Sequence, residues 1–121
     1  MPKKKVMVAD DDPAIVDVMK ILLESNDYDV LITQNPLEID ELVLQNPDII
    51  LLDIWMSGVS GNEVCKRIKA NAFSKDIPVI MFSANRDTKE ISMQCGADGF
   101  IAKPFEIEEV LKIIEKHTAA L

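Results

Sequence analysis

Five short apolar runs, separated by longer amphipathic stretches, constrain the fold of this chain more than any other feature. We predict β-strands over residues 5–9, 30–33, 49–53, 79–82 and 100–102. Several of these runs are apolar at successive positions, which is typical of strands covered on both faces of a parallel sheet. The sequence therefore predicts an α/β protein in which strands alternate with helices.

The stretches between the strands carry signals with which helices begin and end. Asp12 precedes Pro13, so a capping side chain stands before a proline at the first helical position. The Asn35-Pro36 pair predicts a second helix start of the same kind. Asn35…Glu38 and Ser60…Glu63 have the spacing of capping boxes, and Gly96 predicts the end of the fourth helix. Apolar residues spaced i, i+3, i+4 and i+7 predict one buried face of a last helix: Ile107, Val110, Leu111 and Ile114.

The order of these elements, a strand followed by a helix in five repeated units, limits the topology. Right-handed crossovers favour an open, doubly wound, five-stranded parallel sheet, because five βα units are too few to close a barrel. The expected strand order is 2-1-3-4-5, and a ligand would bind beyond the carboxyl ends of the strands, where the order switches. A chain of 121 residues suits one domain spanning residues 1–121.

Charge and composition exclude several classes of function. A net charge of −8 at pH 7 argues against binding nucleic acid, which needs a basic face. No apolar stretch is long enough to cross a membrane, and the start of the chain does not resemble a secretion signal. Cys65 and Cys95 fit neither a disulfide framework nor a close metal-binding pair, so we expect reduced, partly buried thiols in a cytoplasmic protein.

Charged and hydroxyl side chains stand where four of the predicted strands end. Strand one runs into Asp10 and Asp11, and strand three ends in Asp53. Strand four ends in Ser83, and strand five ends in Lys103. Because strands one and three are neighbours in the expected order, their carboxylates should converge at one edge of the sheet.

Convergence of these carboxylates would need compensation. Two of them about 4 Å apart repel by about 1 kcal/mol in water and about 4 kcal/mol near a protein surface. Mg²⁺, which prefers oxygen ligands and retains waters, would remove that repulsion. Taken singly, Asp12 is most simply a helix cap, Asp53 and Ser83 could close any strand, and Lys103 could be a surface charge. At four strand ends together, the residues favour a functional site.

With these residues in place, the sequence resembles the receiver domain of response regulators in two-component signalling. The resemblance extends from residue 5 to about residue 117. Four elements carry it, in order along the chain: Asp10-Asp11, Asp53 with a glycine shortly after it, Ser83-Ala84, and Lys103-Pro104-Phe105. The whole chain is therefore expected to be one receiver domain.

The resemblance implies a phosphoacceptor and a metal site. Asp53 would accept a phosphoryl group, because a carboxylate nucleophile can form an acyl phosphate. Asp11 and Asp53 would bind Mg²⁺ directly, Asp10 would bind it through water, and the backbone carbonyl of Trp55 would complete the protein ligands. Mn²⁺ is expected to substitute for Mg²⁺.

The resemblance also implies a switch. Ser83 would hydrogen-bond a phosphoryl oxygen, Lys103 would pair with the phosphoryl group, and the Lys103-Pro104 peptide is commonly cis in the family. Phosphorylation would draw Ser83 toward the site and let Phe100 move inward. The surface of helix four, strand five and helix five would then change for a partner.

The implied partners follow from that switch. A histidine kinase or a phosphotransfer protein would be the donor, and an unidentified downstream protein would be the target. A dimer linked to phosphorylation is a further expectation, whereas neither nucleic acid nor a membrane is an expected partner of this domain. The chain would not be an enzyme, because it would catalyse only its own phosphorylation and dephosphorylation.

The sequence departs from the common receiver pattern at several positions. Ser57 stands four residues after Asp53, where many receivers have proline, so we expect a more mobile loop. Phe100 replaces a frequent tyrosine, which removes a phenol hydroxyl. Trp55 and Asn85 flank the phosphoryl site where side chains tune the lifetime of the phosphorylated form in the family, and a bulky Trp55 could shield it from water.

Two other classes of function compete with the phosphorylated switch. One is a receiver-like interaction module that no longer accepts a phosphoryl group, against which the complete set of site residues speaks. The other is a Mg²⁺-dependent hydrolase of the haloacid dehalogenase type, whose motif wants threonine or valine where this chain has Ala14. That family usually carries a cap domain, for which 121 residues leave no room.

Overall fold

A computed structural model of the protein describes residues 3–83 and 95–118. Strands alternate with helices, a 3₁₀ helix at Pro36–Glu38 precedes the second helix, and a short hairpin follows the third strand. The elements are β1 (Lys5–Ala9), α1 (Pro13–Glu24), β2 (Asp29–Thr33), α2 (Ile39–Val43), β3 (Ile49–Asp53), β4 (Trp55–Met56), β5 (Val59–Ser60), α3 (Gly61–Ala70), β6 (Val79–Ser83), β7 (Gly99–Ala102) and α4 (Ile107–Thr118).

The main sheet has five parallel strands in the order β2-β1-β3-β6-β7. Without the hairpin strands β4 and β5, this is the predicted order 2-1-3-4-5, so the fold class is confirmed. Each of the five strands matches its predicted range to within one residue at either end. Strands β1 and β3 are neighbours, with Ala9 in register with Leu52, and their carboxyl ends therefore lie side by side.

The strands are mainly apolar, and both faces of the sheet are covered. Along β3, Ile50 and Leu52 pack on the side of α2 and α3, whereas Ile49 and Leu51 pack on the side of α1 and α4. All five residues of β3 are buried, including Asp53 at its end. The close packing behind Asp53 fixes the position from which its carboxylate projects.

The predicted helix caps are correct only in part. Asp12 caps α1 as predicted, since its side chain accepts a hydrogen bond of 2.9 Å from the N–H two residues on. The predicted start at Asn35-Pro36 is confirmed, since the Asn35 side chain accepts a hydrogen bond of 2.9 Å from the Leu37 N–H. The return half of the capping box is wrong, because the Asn35 N–H donates to the Thr33 hydroxyl oxygen (3.0 Å) and Glu38 Oε1 accepts from that hydroxyl (2.6 Å). The box at Ser60 is also wrong: Ser60 lies in strand β5 and its side chain makes no cap hydrogen bond to α3.

Part of the prediction lies outside the described residues. The fourth predicted helix falls between β6 and β7, where residues 84–94 are not described, and Asn85 belongs to the same stretch. Gly96, expected to end that helix, has a φ of +92°. Within residues 3–83 and 95–118, no helix combines the length and the apolar character that crossing a bilayer requires.

Gly61 allows helix α3 to begin directly beside the strand that carries Asp53. A Cβ atom at Gly61 would overlap the backbone oxygen of Asp53 and would lie 2.9 Å from the Cα atom of Ile54. The Gly61 N–H also donates a hydrogen bond to the Ile54 carbonyl. The close approach of these two backbone segments therefore requires glycine at this position.

We expect Gly61→Ala to lower the free energy of unfolding by about 2 kcal/mol, because the added methyl group forces two backbone segments apart. Ser60→Ala is the matched control, and its expected cost is below about 0.5 kcal/mol because Ser60 makes no cap hydrogen bond. Urea unfolding of both variants measures the difference. Equal losses in the two variants would contradict the assignment of close packing to Gly61.

Candidate functional site

Three carboxylates meet at the carboxyl ends of β1 and β3. Asp10 and Asp11 follow β1 and Asp53 ends β3, and one oxygen atom of each carboxylate lies within 4.8 Å of the others. Asp10 is 1% exposed and Asp53 is 8% exposed, whereas Asp11 faces solvent. The adjacency of β1 and β3 in the sheet thus brings together residues that are far apart in sequence.

Lys103 supplies the positive charge beside these carboxylates. Its Nζ atom lies 2.7 Å from Oδ2 of Asp10 and 3.6 Å from Oδ1 of Asp53. The same Nζ atom lies 4.9 Å from the centroid of the Phe82 ring, whose π face attracts a cation. The Lys103 backbone N–H donates to the Ser83 carbonyl (2.8 Å), which ties the end of β7 to the end of β6. The Lys103-Pro104 peptide bond is cis, as the resemblance implied.

Backbone N–H groups hold each carboxylate from another side. The Asp12 N–H donates to Oδ1 of Asp10 (2.9 Å), and the Ser57 N–H donates to Oδ2 of Asp11 (2.9 Å). The Asp53 carboxylate accepts a hydrogen bond from the backbone N–H of Trp55. Such donors orient the carboxylates but add no net charge, so they balance only part of the mutual repulsion.

Burial and the neighbouring carboxylates both affect the protonation of Asp53, the candidate phosphoacceptor. Burial, and after it the charge of Asp10, raises the pKa of Asp53 from 3.8 to about 6. Lys103 and the Trp55 N–H lower this pKa and Asp11 raises it, without reversing the effect of burial. A site that disfavours its own negative charge favours a cation, and carboxylate oxygens are the ligands that Mg²⁺ prefers. The residues present therefore fit a divalent metal ion.

The remaining predicted site residues lie around this cluster. Ser83 is half-buried at the end of β6, where it is in register with Ala102. Phe100 is half-buried on β7 and packs against the core on the side of α2 and α3. Trp55 follows Asp53 by two residues, and 60% of its surface is exposed. Asn85 lies outside the described residues.

A hairpin beside the carboxylates was not predicted from the sequence. Trp55 pairs with Ser60 and Met56 with Val59, so Ser57 and Gly58 form its two-residue turn. Strands this short carry no periodic signal, although a Ser-Gly pair is itself a turn signal. The loop for which greater mobility was expected is thus a closed hairpin whose backbone contacts the site.

The two cysteines lie elsewhere in the molecule. Both are buried, with exposures of 0% for Cys65 and 5% for Cys95, so the prediction of partial burial was wrong. The Cys65 thiol donates to the Cys95 backbone carbonyl over 3.5 Å. They lie in the core on the side of α2 and α3 and contribute no ligand to the carboxylate cluster.

A parallel sheet of this order, with an acidic cluster and a lysine at its carboxyl edge, defines the class of receiver domains. The sequence model of the response regulator receiver domain matches residues 6–115. The chain therefore belongs to the response regulator receiver family, as the resemblance indicated.

Individual proteins show how far the similarity extends. The DNA-binding dual master transcriptional regulator RpaA of Synechocystis sp. is 37% identical over 110 residues, which cover 88% of this chain and 46% of RpaA. The nisin biosynthesis regulatory protein NisR of Lactococcus lactis is 37% identical over 116 residues, covering 92% of this chain and 48% of NisR. The chain thus spans about half the length of the curated relatives it matches.

A solved structure is similar over nearly its whole length. The crystal structure of the response regulator TrrA of Thermotoga maritima, in complex with Mg²⁺-BeF, has a TM-score of 0.84 and 29% identity. The match covers 94% of this chain and 98% of TrrA. In this chain, one carboxylate oxygen each from Asp10, Asp11 and Asp53 could together hold a metal ion.

We expect Asp53→Asn to raise the free energy of unfolding of the metal-free protein at pH 7.5 by about 1 kcal/mol, because it removes one of three repelling charges. A carboxylate whose pKa is raised by folding destabilises the folded state progressively as the pH rises from its unfolded pKa to its folded pKa, and fully above the folded pKa. The gain should therefore be full above pH 6 and should vanish as the pH falls from about 6 toward the unfolded value of 3.8. Urea unfolding in the presence of a chelator measures the effect.

Asp12→Asn is the matched control for this prediction, because it changes the net charge equally and asparagine also caps helices. Its stability should show no comparable dependence between pH 4 and pH 6. An equal gain in both variants would assign the effect to net charge and not to the cluster.

Proposed function

We propose that the chain is a phosphoacceptor switch in which Asp53 receives a phosphoryl group from a histidine kinase or a phosphotransfer protein. One observation carries the proposal: Lys103 Nζ lies between the Asp10 and Asp53 carboxylates, at 2.7 Å and 3.6 Å. A structural ion pair would need one carboxylate, whereas phosphoryl transfer needs a nucleophile and a cation to balance phosphoryl oxygens. We place this activity in the cytoplasm, where such donors act.

The chemistry follows from the position of each residue. An oxygen of the Asp53 carboxylate attacks phosphorus, and the P–O bond of the acyl phosphate forms as the P–N bond of the donor phosphohistidine breaks. The electron pair of that P–N bond stays on the imidazole nitrogen. Lys103, already 3.6 Å from Asp53, pairs with a phosphoryl oxygen, and the Ser83 hydroxyl donates to another.

A divalent cation completes this charge balance. Asp11 and Asp53 would hold Mg²⁺ directly, Asp10 would hold it through water, and the Trp55 carbonyl would be the remaining protein ligand. Mn²⁺ would substitute for it. When bound, the ion neutralises charge on the transferring phosphoryl group and on the crowded carboxylates.

The output is a change of surface. Ser83 moves toward the phosphoryl group and Phe100, half-buried on β7, turns inward. The surface that changes comprises β7, α4 and the fourth predicted helix, and an unidentified protein, or a second copy of the chain, binds it. We propose that the chain acts on no separate substrate and catalyses only its own phosphorylation and dephosphorylation.

We expect incubation with a small phosphodonor and Mg²⁺ to add one acid-labile phosphoryl group, seen as a single step in intact mass. Asp53→Ala should gain no phosphoryl group. Asp12→Asn should be phosphorylated like the wild type, because Asp12 only caps α1. Omission of the divalent ion, by chelation, should abolish the reaction because the carboxylates then repel the incoming phosphate.

The alternatives give different results in the same experiment. A phosphorylation-silent interaction module would show no mass change, with or without Mg²⁺. A hydrolase of the haloacid dehalogenase type would turn over the phosphodonor in many cycles even in Asp53→Ala, because its nucleophile would be an aspartate after strand one. Unchanged labelling of Asp53→Ala would assign the phosphoryl group to another residue and would overturn the proposal.

We expect Trp55→Ala to shorten the half-life of the phosphorylated form several-fold. The indole stands two residues after Asp53, and its bulk limits the approach of water to the acyl phosphate. Trp55→Phe is the control, because it retains an aromatic side chain, and both substitutions keep the backbone N–H that donates to Asp53. Loss of the mass increase over time measures the half-life, and an unchanged rate in Trp55→Ala would contradict shielding.

A further inference from the structure

The turn of the hairpin has an unusual backbone for its sequence. Ser57 and Gly58 have φ values of +48° and +80°, the sign that a tight type I′ turn requires at both central positions. Such a turn joins β4 to β5 and closes the pairs Trp55–Ser60 and Met56–Val59. Glycine adopts a positive φ at no cost, whereas serine in this region carries backbone strain.

This backbone conformation directs the Ser57 N–H at the metal site. The N–H donates to Oδ2 of Asp11 over 2.9 Å, and the two residues are 46 positions apart. A proline at position 57 could not make this contact, because it has no N–H and its φ is fixed near −65°. The serine that departs from the common receiver pattern thus adds a hydrogen bond that the common residue forbids.

Asp11 is the carboxylate of the cluster with the greatest need of such a donor. Lys103 pairs with Asp10 and Asp53, and both of those side chains are buried. Asp11 is exposed, so water and side-chain rotation compete with any fixed orientation. A carboxylate has about four acceptor sites, so the hydrogen bond at Oδ2 leaves Oδ1 open to a cation.

We propose that Ser57 is a positioning residue, whose backbone N–H, directed by the Ser57-Gly58 turn, orients the Asp11 carboxylate for binding of Mg²⁺. The proposal rests on the proposed function, in which Asp11 is a direct metal ligand. Orientation before binding reduces the freedom that Asp11 loses when the cation arrives. The contact comes from the backbone, so the hydroxyl of Ser57 is dispensable and its N–H is not.

Three substitutions separate the backbone from the side chain. Ser57→Pro removes the N–H and the positive φ, Ser57→Ala removes only the hydroxyl, and Ser57→Gly keeps the N–H and relieves the strain. The affinity for Mg²⁺, without any phosphodonor, is measured from the fluorescence of Trp55, the single tryptophan of the chain. Calorimetric titration with Mg²⁺ checks that the hairpin substitutions have not altered the fluorescence signal itself.

We expect Ser57→Pro to weaken Mg²⁺ binding about tenfold, in line with loss of a hydrogen bond to a charged group. Ser57→Ala and Ser57→Gly should bind within about twofold of the wild type, since both keep the donor. Thermal unfolding of the metal-free variants identifies any general loss of structure. Wild-type affinity in folded Ser57→Pro would overturn the proposal, whereas a wild type that binds no Mg²⁺ would overturn the proposed metal site itself.

Hydrogen exchange tests the contact even if Ser57→Pro does not fold. In the metal-free wild type, the Ser57 amide should exchange about tenfold more slowly than in Asp11→Ala, which removes the acceptor. Amides elsewhere in the hairpin should exchange equally in both proteins. Equal exchange of the Ser57 amide in the two proteins would show that Asp11 does not hold it, and would overturn the proposal.

Discussion

Repulsion among Asp10, Asp11 and Asp53 is the interaction on which the rest of the site depends. The strand order makes it unavoidable, because β1 and β3 are neighbours and both end in carboxylates. Lys103 balances one of these charges and leaves two unbalanced when all three are ionised. The folded chain therefore holds a site whose own electrostatics favour a divalent cation. Burial first, and then the charge of Asp10, raise the pKa of Asp53, so both effects disfavour its negative charge.

The same lysine connects the carboxylates to the far edge of the sheet. Its side chain contacts Asp10 and Asp53, while its backbone N–H donates to Ser83 at the end of β6. Phe100 lies three residues earlier on the adjoining strand β7. A phosphoryl group that draws on Lys103 and Ser83 would thus act on both strands at once, which gives the proposed switch a short physical route from chemistry to surface.

The sequence was sufficient to predict the strand order of the sheet and the three carboxylates that meet at its edge, Asp10, Asp11 and Asp53. Strand ends were predicted to within a residue because strands buried on both faces form apolar runs, as in the Ile-Ile-Leu-Leu run at 49–52 that precedes Asp53. The convergence of Asp11 with Asp53 followed from the strand order. The caps were less predictable, because the Thr33 hydroxyl competes for Glu38 and the pairing of β4 with β5 takes up Ser60.

The hydrogen bonds that the backbone makes to the site could not be predicted, since every residue except proline carries the same N–H donor. Trp55 and Ser57 donate to Asp53 and Asp11 from alternate positions of one hairpin. The direction in which these two N–H groups point is set by the backbone conformation and not by the residue type. Replacement of a common proline by Ser57 was visible in the sequence, but without coordinates it indicated a looser loop and not an additional donor.

That difference changes how the loop contributes to the site. A proline would limit the freedom of the loop in the unfolded chain, which stabilises without contacting Asp11. Ser57 does not restrict the unfolded chain in this way, and its positive φ destabilises the folded state by an amount on the order of 1 kcal/mol. A hydrogen bond to a charged acceptor contributes about 1.5–3 kcal/mol, enough to offset the strain. The strained turn therefore orients the Asp11 carboxylate through the Ser57 N–H. Within residues 3–83 and 95–118, Lys103 pairs with Asp10 and Asp53 but not with Asp11, so the hydrogen bond is made to the carboxylate of the cluster that has no ion pair with this lysine.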